Sequence, residues 1–112
     1  MDIQTFINEW IAVSNAFDTQ KYLDFYTYDA ILDDPSVGRK FYGHSGVKDY
    51  FESYFIDYNT NTQIVGLQIK DEVSAHLEVH FTGNFAEGAI GGIFDFIFKD
   101  NKIAFVKADL IH

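Results

Sequence analysis

Apolar and polar positions along the first half of the chain recur with the period of helices. Apolar residues lie at three-and-four spacing from Ile3 to Phe17, which predicts an amphipathic helix capped by Asp2. A short second helix is predicted from Asp18 and a third from Ser45, each with aromatic residues on its inward side. Each of these helices needs a partner surface to cover its apolar side.

From about residue 61 onward the pattern alternates, which is typical of strands. Four strands are predicted, at Thr62–Lys70, Val73–Phe85, Ala89–Lys99 and Lys102–Ile111. A shorter strand-like run covers residues 29–34, and a loop is expected over residues 38–43. Helices followed by an antiparallel meander predict a single α+β domain over residues 1–112.

The predicted turns fix which side chains share a face of the sheet. If Asp100-Asn101 is a two-residue turn, Asp95 lies opposite Val106, on a face that also carries Leu110. One carboxyl group would then stand on an otherwise apolar surface. Such a group is costly to bury unless it is hydrogen-bonded or protonated, so we expect Asp95 to face a pocket.

The preceding turn decides where His80 points. A two-residue turn at Glu87-Gly88 would place His80 opposite Asp95, whereas a three-residue loop would send it outward. We expect the first register, because it gathers the opposite face into one apolar patch. That patch would be covered by a second subunit, giving a homodimer through the outer face of the sheet. It contains Phe94, Phe96, Phe98, Leu77, Val79 and Phe81.

Composition narrows the class of function. The chain is 47% apolar and 18% aromatic, which is enough for a core and an apolar pocket. Its formal charge of −9 repels phosphate backbones and anionic lipids, so we expect no nucleic-acid or membrane partner. The absence of cysteine excludes disulfides and thiolate chemistry. No leader-like or membrane-spanning run is visible, and the expected location is cytoplasmic.

The most distinctive stretch is Tyr28-Asp29-Ala30-Ile31-Leu32-Asp33-Asp34-Pro35, which is followed by Gly43-His44-Ser45-Gly46. With these motifs the chain resembles the NTF2-like superfamily, and within it the ketosteroid isomerase and SnoaL-like polyketide cyclase branch. The resemblance covers nearly the whole chain. It implies a cone in which helices pack on a strongly curved sheet, a small hydrophobic carbonyl substrate, enolate chemistry and no cofactor.

The resemblance also implies roles for three residues. Asp34, immediately before Pro35, matches the general base of the ketosteroid isomerases. Asp95 matches the carboxyl group that stays protonated and donates to the oxyanion. The family's tyrosine donor falls on Trp10, whose indole N–H can also donate a hydrogen bond.

Each candidate also has a plainer interpretation. Asp34 could cap the turn at Pro35 or be solvated, and Asp95 could be an exposed acid on a strand. His80 is more often a structural or surface histidine than an acid or base. His76, Glu78 and His80 alternate on one strand, but no further ligand has suitable spacing, so we expect no metal.

The predicted ligand contacts come from the helices and from the face that carries Asp95. They are Trp10, Tyr26, Tyr54, Phe55, His80, Val106 and Leu110. Core packing would explain the aromatic members equally well. Two functions therefore stay open: a cofactor-independent isomerase, cyclase or dehydratase, or a ligand-binding or dimerisation module without chemistry.

Overall fold

A computed structural model describes residues 1–111. The helices are α1 (Ile3–Asn15), α2 (Thr19–Asp24) and α3 (Gly43–Phe51), the last continuing into a π-helical turn at Glu52–Ile56. The strands are β1 (Tyr26–Asp34), β2 (Arg39–Tyr42), β3 (Asn61–Asp71), β4 (Ser74–Thr82), β5 (Ala89–Lys99) and β6 (Lys102–Ile111). None of the helices in residues 1–111 has the length and hydropathy of a membrane-spanning segment.

Two of the three helices begin after an aspartate whose side chain caps the helix. The Asp2 side chain accepts a hydrogen bond from the Thr5 amide at 3.1 Å, and Asp18 accepts one from Lys21 at 3.2 Å. The third helix begins at Gly43, two residues before the predicted cap, and has no side-chain cap. Most of the segment predicted as a loop, residues 39–42, forms β2 instead, because its backbone groups pair with those of β1.

The six strands form one sheet in the order β2-β1-β6-β5-β4-β3. Neighbouring strands are antiparallel except β1 and β6, which run parallel, with Leu32 beside Val106. The four-stranded meander was predicted, whereas the insertion of β6 between β1 and β5 was not. A parallel pair needs a long crossover connection, and here the crossover is the rest of the domain.

The three helices cover one face of this sheet, and the core lies between them. Trp10 of α1 meets Phe94 and Phe96 edge-on, with ring centroids 5.1 and 5.3 Å apart. All three side chains are buried. The prediction that the phenylalanine-rich face is an exposed patch for a second subunit is therefore wrong, because the apolar sides of the helices already cover it.

The register between β5 and β6 differs from the prediction by one residue. Lys99 pairs with Lys102 as predicted, but the pairing shifts between Ile97 and Phe98, which leaves Ala104 without a partner on β5. This bulge reverses the alternation along the rest of β6. Asp95 consequently lies opposite Lys107 instead of Val106.

The connection from β4 to β5 is also longer than predicted. Thr82 pairs with Ala89, so six residues, Gly83–Gly88, form the loop. His76 is then the residue opposite Asp95, and His80 lies opposite Gly91. The side chains of His76, Asp95 and His80 all belong to the outer face, away from the helices.

Candidate functional site

A partly open cavity of about 200 Å³ lies between the inner face of the sheet and the segment that follows α3. Its wall is mostly apolar and aromatic, and it contains two carboxyl groups. The lining residues are Asp34, Ser36, Val37, Tyr50, Tyr54, Phe55, Tyr58, Thr60, Phe81, Phe85, Glu87, Ile90 and Leu110.

Asp34 lies at the end of β1, and its residue surface is only 5% exposed. Alternation along β1 turns this side chain inward with Leu32, whereas Asp33 belongs to the outer face. One carboxylate oxygen, Oδ1, accepts hydrogen bonds from the Ser36 amide at 2.9 Å and from the Ser36 hydroxyl at 2.5 Å. The acid therefore caps the turn after Pro35 and also lines the cavity, so both interpretations of Asp34 describe part of its environment.

The second carboxylate oxygen of Asp34 faces helix α3. The Tyr50 hydroxyl donates to Oδ2 at 2.8 Å. Burial and the neighbouring Asp34 carboxylate raise the pKa of Tyr50 well above its ordinary value, so this phenol keeps its proton and remains a donor. The carboxylate is held in one orientation by hydrogen bonds from both sides.

The π-helical turn brings further aromatic side chains to the cavity. Its wider geometry is seen in the hydrogen bond from the Asp57 amide to the Glu52 carbonyl, five residues earlier, at 3.0 Å. Tyr54 and Phe55 are consecutive, yet both reach the cavity wall beside Tyr50. Their ring centroids lie 5.4 and 5.8 Å from that of Tyr50. The predictions that Tyr54 and Phe55 line a pocket agree with these positions.

Glu87 lies in the loop Gly83–Gly88 and supplies the second carboxyl group of the cavity. The Asn84 amide donates to the Tyr58 carbonyl at 2.7 Å, which ties this loop to the segment after the π-helical turn. A Cβ atom at Gly83 would stand 2.8 Å from the same carbonyl oxygen, so the close approach requires glycine.

The sequence did not predict that the Gly83–Gly88 loop borders a cavity. Glu87 was interpreted as a turn residue, and no local pattern distinguishes a turn acid from one that borders a pocket. The other lining residues that were missed come from the turn after β1, the segment after α3, the Gly83–Gly88 loop, and the ends of β4 and β5. They are Ser36, Val37, Tyr58, Thr60, Phe81, Phe85 and Ile90.

Three predicted ligand contacts lie in the core instead of at the cavity. Trp10 and Tyr26 are each 1% exposed, and Val106 is fully buried opposite Phe96. The Tyr26 hydroxyl donates to the Tyr22 hydroxyl at 2.8 Å, and burial raises the pKa of both phenols. None of the three predicted residues lines the cavity, whereas Leu110 does.

Asp95 and His80 lie on the opposite side of the sheet from the cavity. Asp95 accepts a 2.6 Å hydrogen bond from His76 Nδ1 when that nitrogen carries the proton, and Lys70 Nζ lies 3.7 Å from the same carboxylate oxygen. The prediction that Asp95 faces a pocket is wrong, because Asp95 alternates along β5 with the buried Phe94 and Phe96, and the helices cover the side of the sheet that carries these phenylalanines. Among residues 1–111, no group of three or more His, Asp or Glu side chains is arranged to hold a metal ion.

Comparison with known proteins identifies the family. The family model described as "SnoaL-like domain" matches residues 7–106. No functionally curated protein matches the chain significantly. Among solved structures, a candidate polyketide cyclase from Sinorhizobium meliloti is 16% identical, with a TM-score of 0.83 and 93% of each chain covered.

Two other solved structures have the same fold. A candidate ketosteroid isomerase from Kribbella flavida is 13% identical, with a TM-score of 0.82 over 96% of this chain and 76% of that one. The epoxide hydrolase/cyclase-like enzyme SalBIII, which acts in pyran ring formation in salinomycin, is 15% identical, with a TM-score of 0.83 over 96% and 89%. These likenesses confirm the predicted α+β, NTF2-like fold. The chain belongs to the SnoaL-like domain family.

Proposed function

We propose that this protein binds a small hydrophobic carbonyl compound in the cavity and that Asp34 transfers a proton on it without a cofactor. The reaction class is isomerisation, cyclisation or dehydration through an enolate. The observation that carries this proposal is a buried, oriented carboxylate in the wall of an aromatic cavity. The family and the names of its structural neighbours agree with this class of chemistry, although fold alone does not define a reaction.

Hydrogen bonding leaves Asp34 able to act as a base. A carboxylate offers about four lone-pair positions, of which Ser36 occupies two and Tyr50 one. The remaining position, on Oδ2, is free to take a proton from the carbon next to a bound carbonyl group. The C–H electron pair forms a carbon–carbon double bond while the π pair of the carbonyl group moves to its oxygen, which gives the enolate, and Asp34 returns the proton to another atom of the substrate.

The enolate oxygen needs a hydrogen-bond donor in the cavity, and Asp95 is not available there. Tyr54 and Tyr58 both line the cavity and carry phenol O–H groups. We assign one of these phenols to stabilise the developing negative charge. Tyr50 is less suited, because its proton already serves Asp34.

A second candidate function is ligand binding without chemistry. The observation that favours it is the turn capped by Asp34, since the hydrogen bonds from Ser36 explain the burial of this carboxylate structurally. Under this alternative the cavity holds an apolar ligand, and Asp34 only stabilises the wall.

The two functions differ in whether Asp34 moves a proton. The experiment follows deuterium uptake from D₂O into a panel of cyclic and aromatic ketones by NMR, with wild type, Asp34→Asn and Asp33→Asn. Asp33 is the matched control, because it is adjacent in sequence but pairs with Lys107 on the outer face. We expect Asp34→Asn to slow exchange about 100-fold or more, and Asp33→Asn to leave it within about twofold. Ketones that bind but exchange equally in all three proteins would support the binding module.

We also propose a homodimer through the outer face of the sheet. Ile97 is 50% exposed there, and Ile111 is 41% exposed. Charges of both signs lie between them, including the facing pair Asp95 and Lys107. A face with apolar positions and both signs of charge can be complementary to itself across a two-fold axis.

A further inference from the structure

The charges of the cavity are all of one sign. Of its thirteen lining residues, two are acids and none is lysine, arginine or histidine. Within residues 1–111, neither Asp34 nor Glu87 forms an ion pair with a basic side chain. A buried carboxylate without a cationic partner is stabilised when a ligand brings the opposite charge.

The walls between these acids are aromatic. Tyr54, Tyr58, Phe81 and Phe85 all line the cavity, and the Tyr58 and Phe85 rings are 6.4 Å apart. Ring faces carry negative charge density and attract organic cations, most strongly where water is displaced. Aromatic walls combined with carboxylates are the chemistry that recognises ammonium groups.

Glu87 and Asp34 differ in how they meet a ligand. Glu87 is exposed, in the loop at the cavity wall, whereas Asp34 is buried and already accepts three hydrogen bonds. Glu87 therefore retains its full capacity to accept hydrogen bonds from, or to pair with, a charged group on the ligand. The formal charge of −9 adds a field that attracts cations to the protein as a whole.

We infer that the cavity takes a ligand that carries an ammonium group, with Glu87 as its charge partner and the aromatic rings around it. This inference rests on the proposed cavity and names the substrate class as an amine-bearing carbonyl compound. Once Asp34 has taken the proton it is neutral, so the enolate would be an anion beside the one remaining carboxylate, that of Glu87. A positive charge on the same molecule reduces that repulsion, whereas an anionic substrate would increase it.

The test compares three small molecules of nearly the same shape. Choline is the cation, 3,3-dimethylbutan-1-ol is the neutral isostere, and 3,3-dimethylbutanoate is the anion. Each is titrated into 15N-labelled protein, and the dissociation constant is taken from amide shifts around the cavity, including Gly88. We expect choline to bind about tenfold more tightly than the alcohol, and the anion to bind more weakly than either.

A pair of glutamate variants assigns the charge partner. Glu87→Gln should lower the preference for choline over the alcohol by about threefold or more while leaving the alcohol's affinity unchanged. Glu78→Gln is the matched control, because Glu78 is exposed on the outer face, and it should leave the preference unchanged. If Glu78→Gln lowers the preference as much as Glu87→Gln, the assignment to Glu87 is overturned.

The outcomes separate this inference from the proposed function. If the alcohol binds in the cavity as tightly as choline, the ammonium inference is overturned while the hydrophobic cavity stands. If none of the three molecules shifts the cavity amides, both the inference and the proposed binding site are overturned. Loss of ketone deuterium exchange in Asp34→Asn, with choline binding retained, would support both proposals.

Discussion

The Tyr50 hydroxyl and Asp34 Oδ2, 2.8 Å apart, join helix α3 to the end of strand β1 inside the cavity wall. Both residues are shielded from water, since Asp34 is 5% exposed and Tyr50 is 4% exposed. If one partner were removed, water could not replace the lost hydrogen bond. The contact thus contributes to the stability of the fold and also orients the proposed base. These two contributions can be measured separately.

We predict that Tyr50→Phe lowers the free energy of unfolding by about 1.5–3 kcal/mol, the range for a hydrogen bond to a charged group. Urea unfolding followed by circular dichroism measures this change. Tyr54→Phe is the control, since its ring also lines the cavity but its hydroxyl does not bond to Asp34. Equal losses in the two variants would contradict the assigned contact.

Alkaline pH should destabilise the protein through its buried phenols. The pKa values of Tyr22, Tyr26 and Tyr50 are raised by burial, so the unfolded chain loses these protons first, near pH 10. The unfolding free energy should then fall by about 1.4 kcal/mol per phenol for each pH unit above 10. Urea unfolding between pH 9 and about 11 tests this, and Tyr22→Phe should reduce the slope by about one third. A stability independent of pH in this range would contradict the burial of these groups.

Two glycines of the sheet should differ in how strongly their replacement by alanine changes stability. A Cβ atom at Gly92 would clash with Cε2 of Phe81, a cavity residue, whereas nothing lies within 4 Å of such an atom at Gly66. Gly92→Ala should cost about 1–3 kcal/mol of stability and weaken ligand binding. Gly66→Ala should change stability by less than about 1 kcal/mol. Thermal unfolding of both variants decides this, and a silent Gly92→Ala would show that Phe81 can move aside.

Asp95→Asn should leave binding in the cavity unchanged, since Asp95 bonds to His76 on the outer face. We expect dissociation constants for the choline series within about twofold of wild type. The same NMR titration measures them. A loss of about tenfold would mean that this face contacts the ligand after all.

Ile97→Asp should dissociate the proposed dimer, because it places a charge on the apolar part of the outer face. Sedimentation velocity measures the fraction of dimer at several concentrations. Val73→Asp is the control: Val73 is 52% exposed, close to the 50% of Ile97, but lies in the turn between β3 and β4. A wild-type protein that is monomeric at all concentrations would overturn the proposal.

The elements and the fold could be predicted from the sequence because their signals are local and repeated. The caps Asp2 and Asp18, the helical spacing after them, and the turn at Asp100-Asn101 each specify one piece of backbone. The motif around Asp34 then identified a family whose fold fits those pieces. Asp34 was predicted as a site residue for this reason, and its alternation with Leu32 turns it inward.

The candidate site was harder to predict, because an error of one residue in strand register moves a side chain to the other face of the sheet. Ala104 is one extra residue in β6, and nothing in its surroundings signals a bulge, yet it decides that Lys107 and not Val106 lies opposite Asp95. Which side of the sheet the helices cover is likewise a tertiary fact. The phenylalanines of β5 suit either a core or an interface, and only the packing of Trp10 against them distinguishes the two.

The parallel pairing of β1 with β6 affects the order in which the chain can fold. β1 is complete at Asp34, but its inner neighbour in the sheet begins only at Lys102. Until then, β1 can pair only with β2, and two-stranded ribbons are marginally stable in water. The N-terminal helices therefore have no finished sheet to pack on while the chain is being synthesised. We expect cooperative folding to begin only once β6 has left the ribosome, so that truncation before Lys102 yields a chain without a native core.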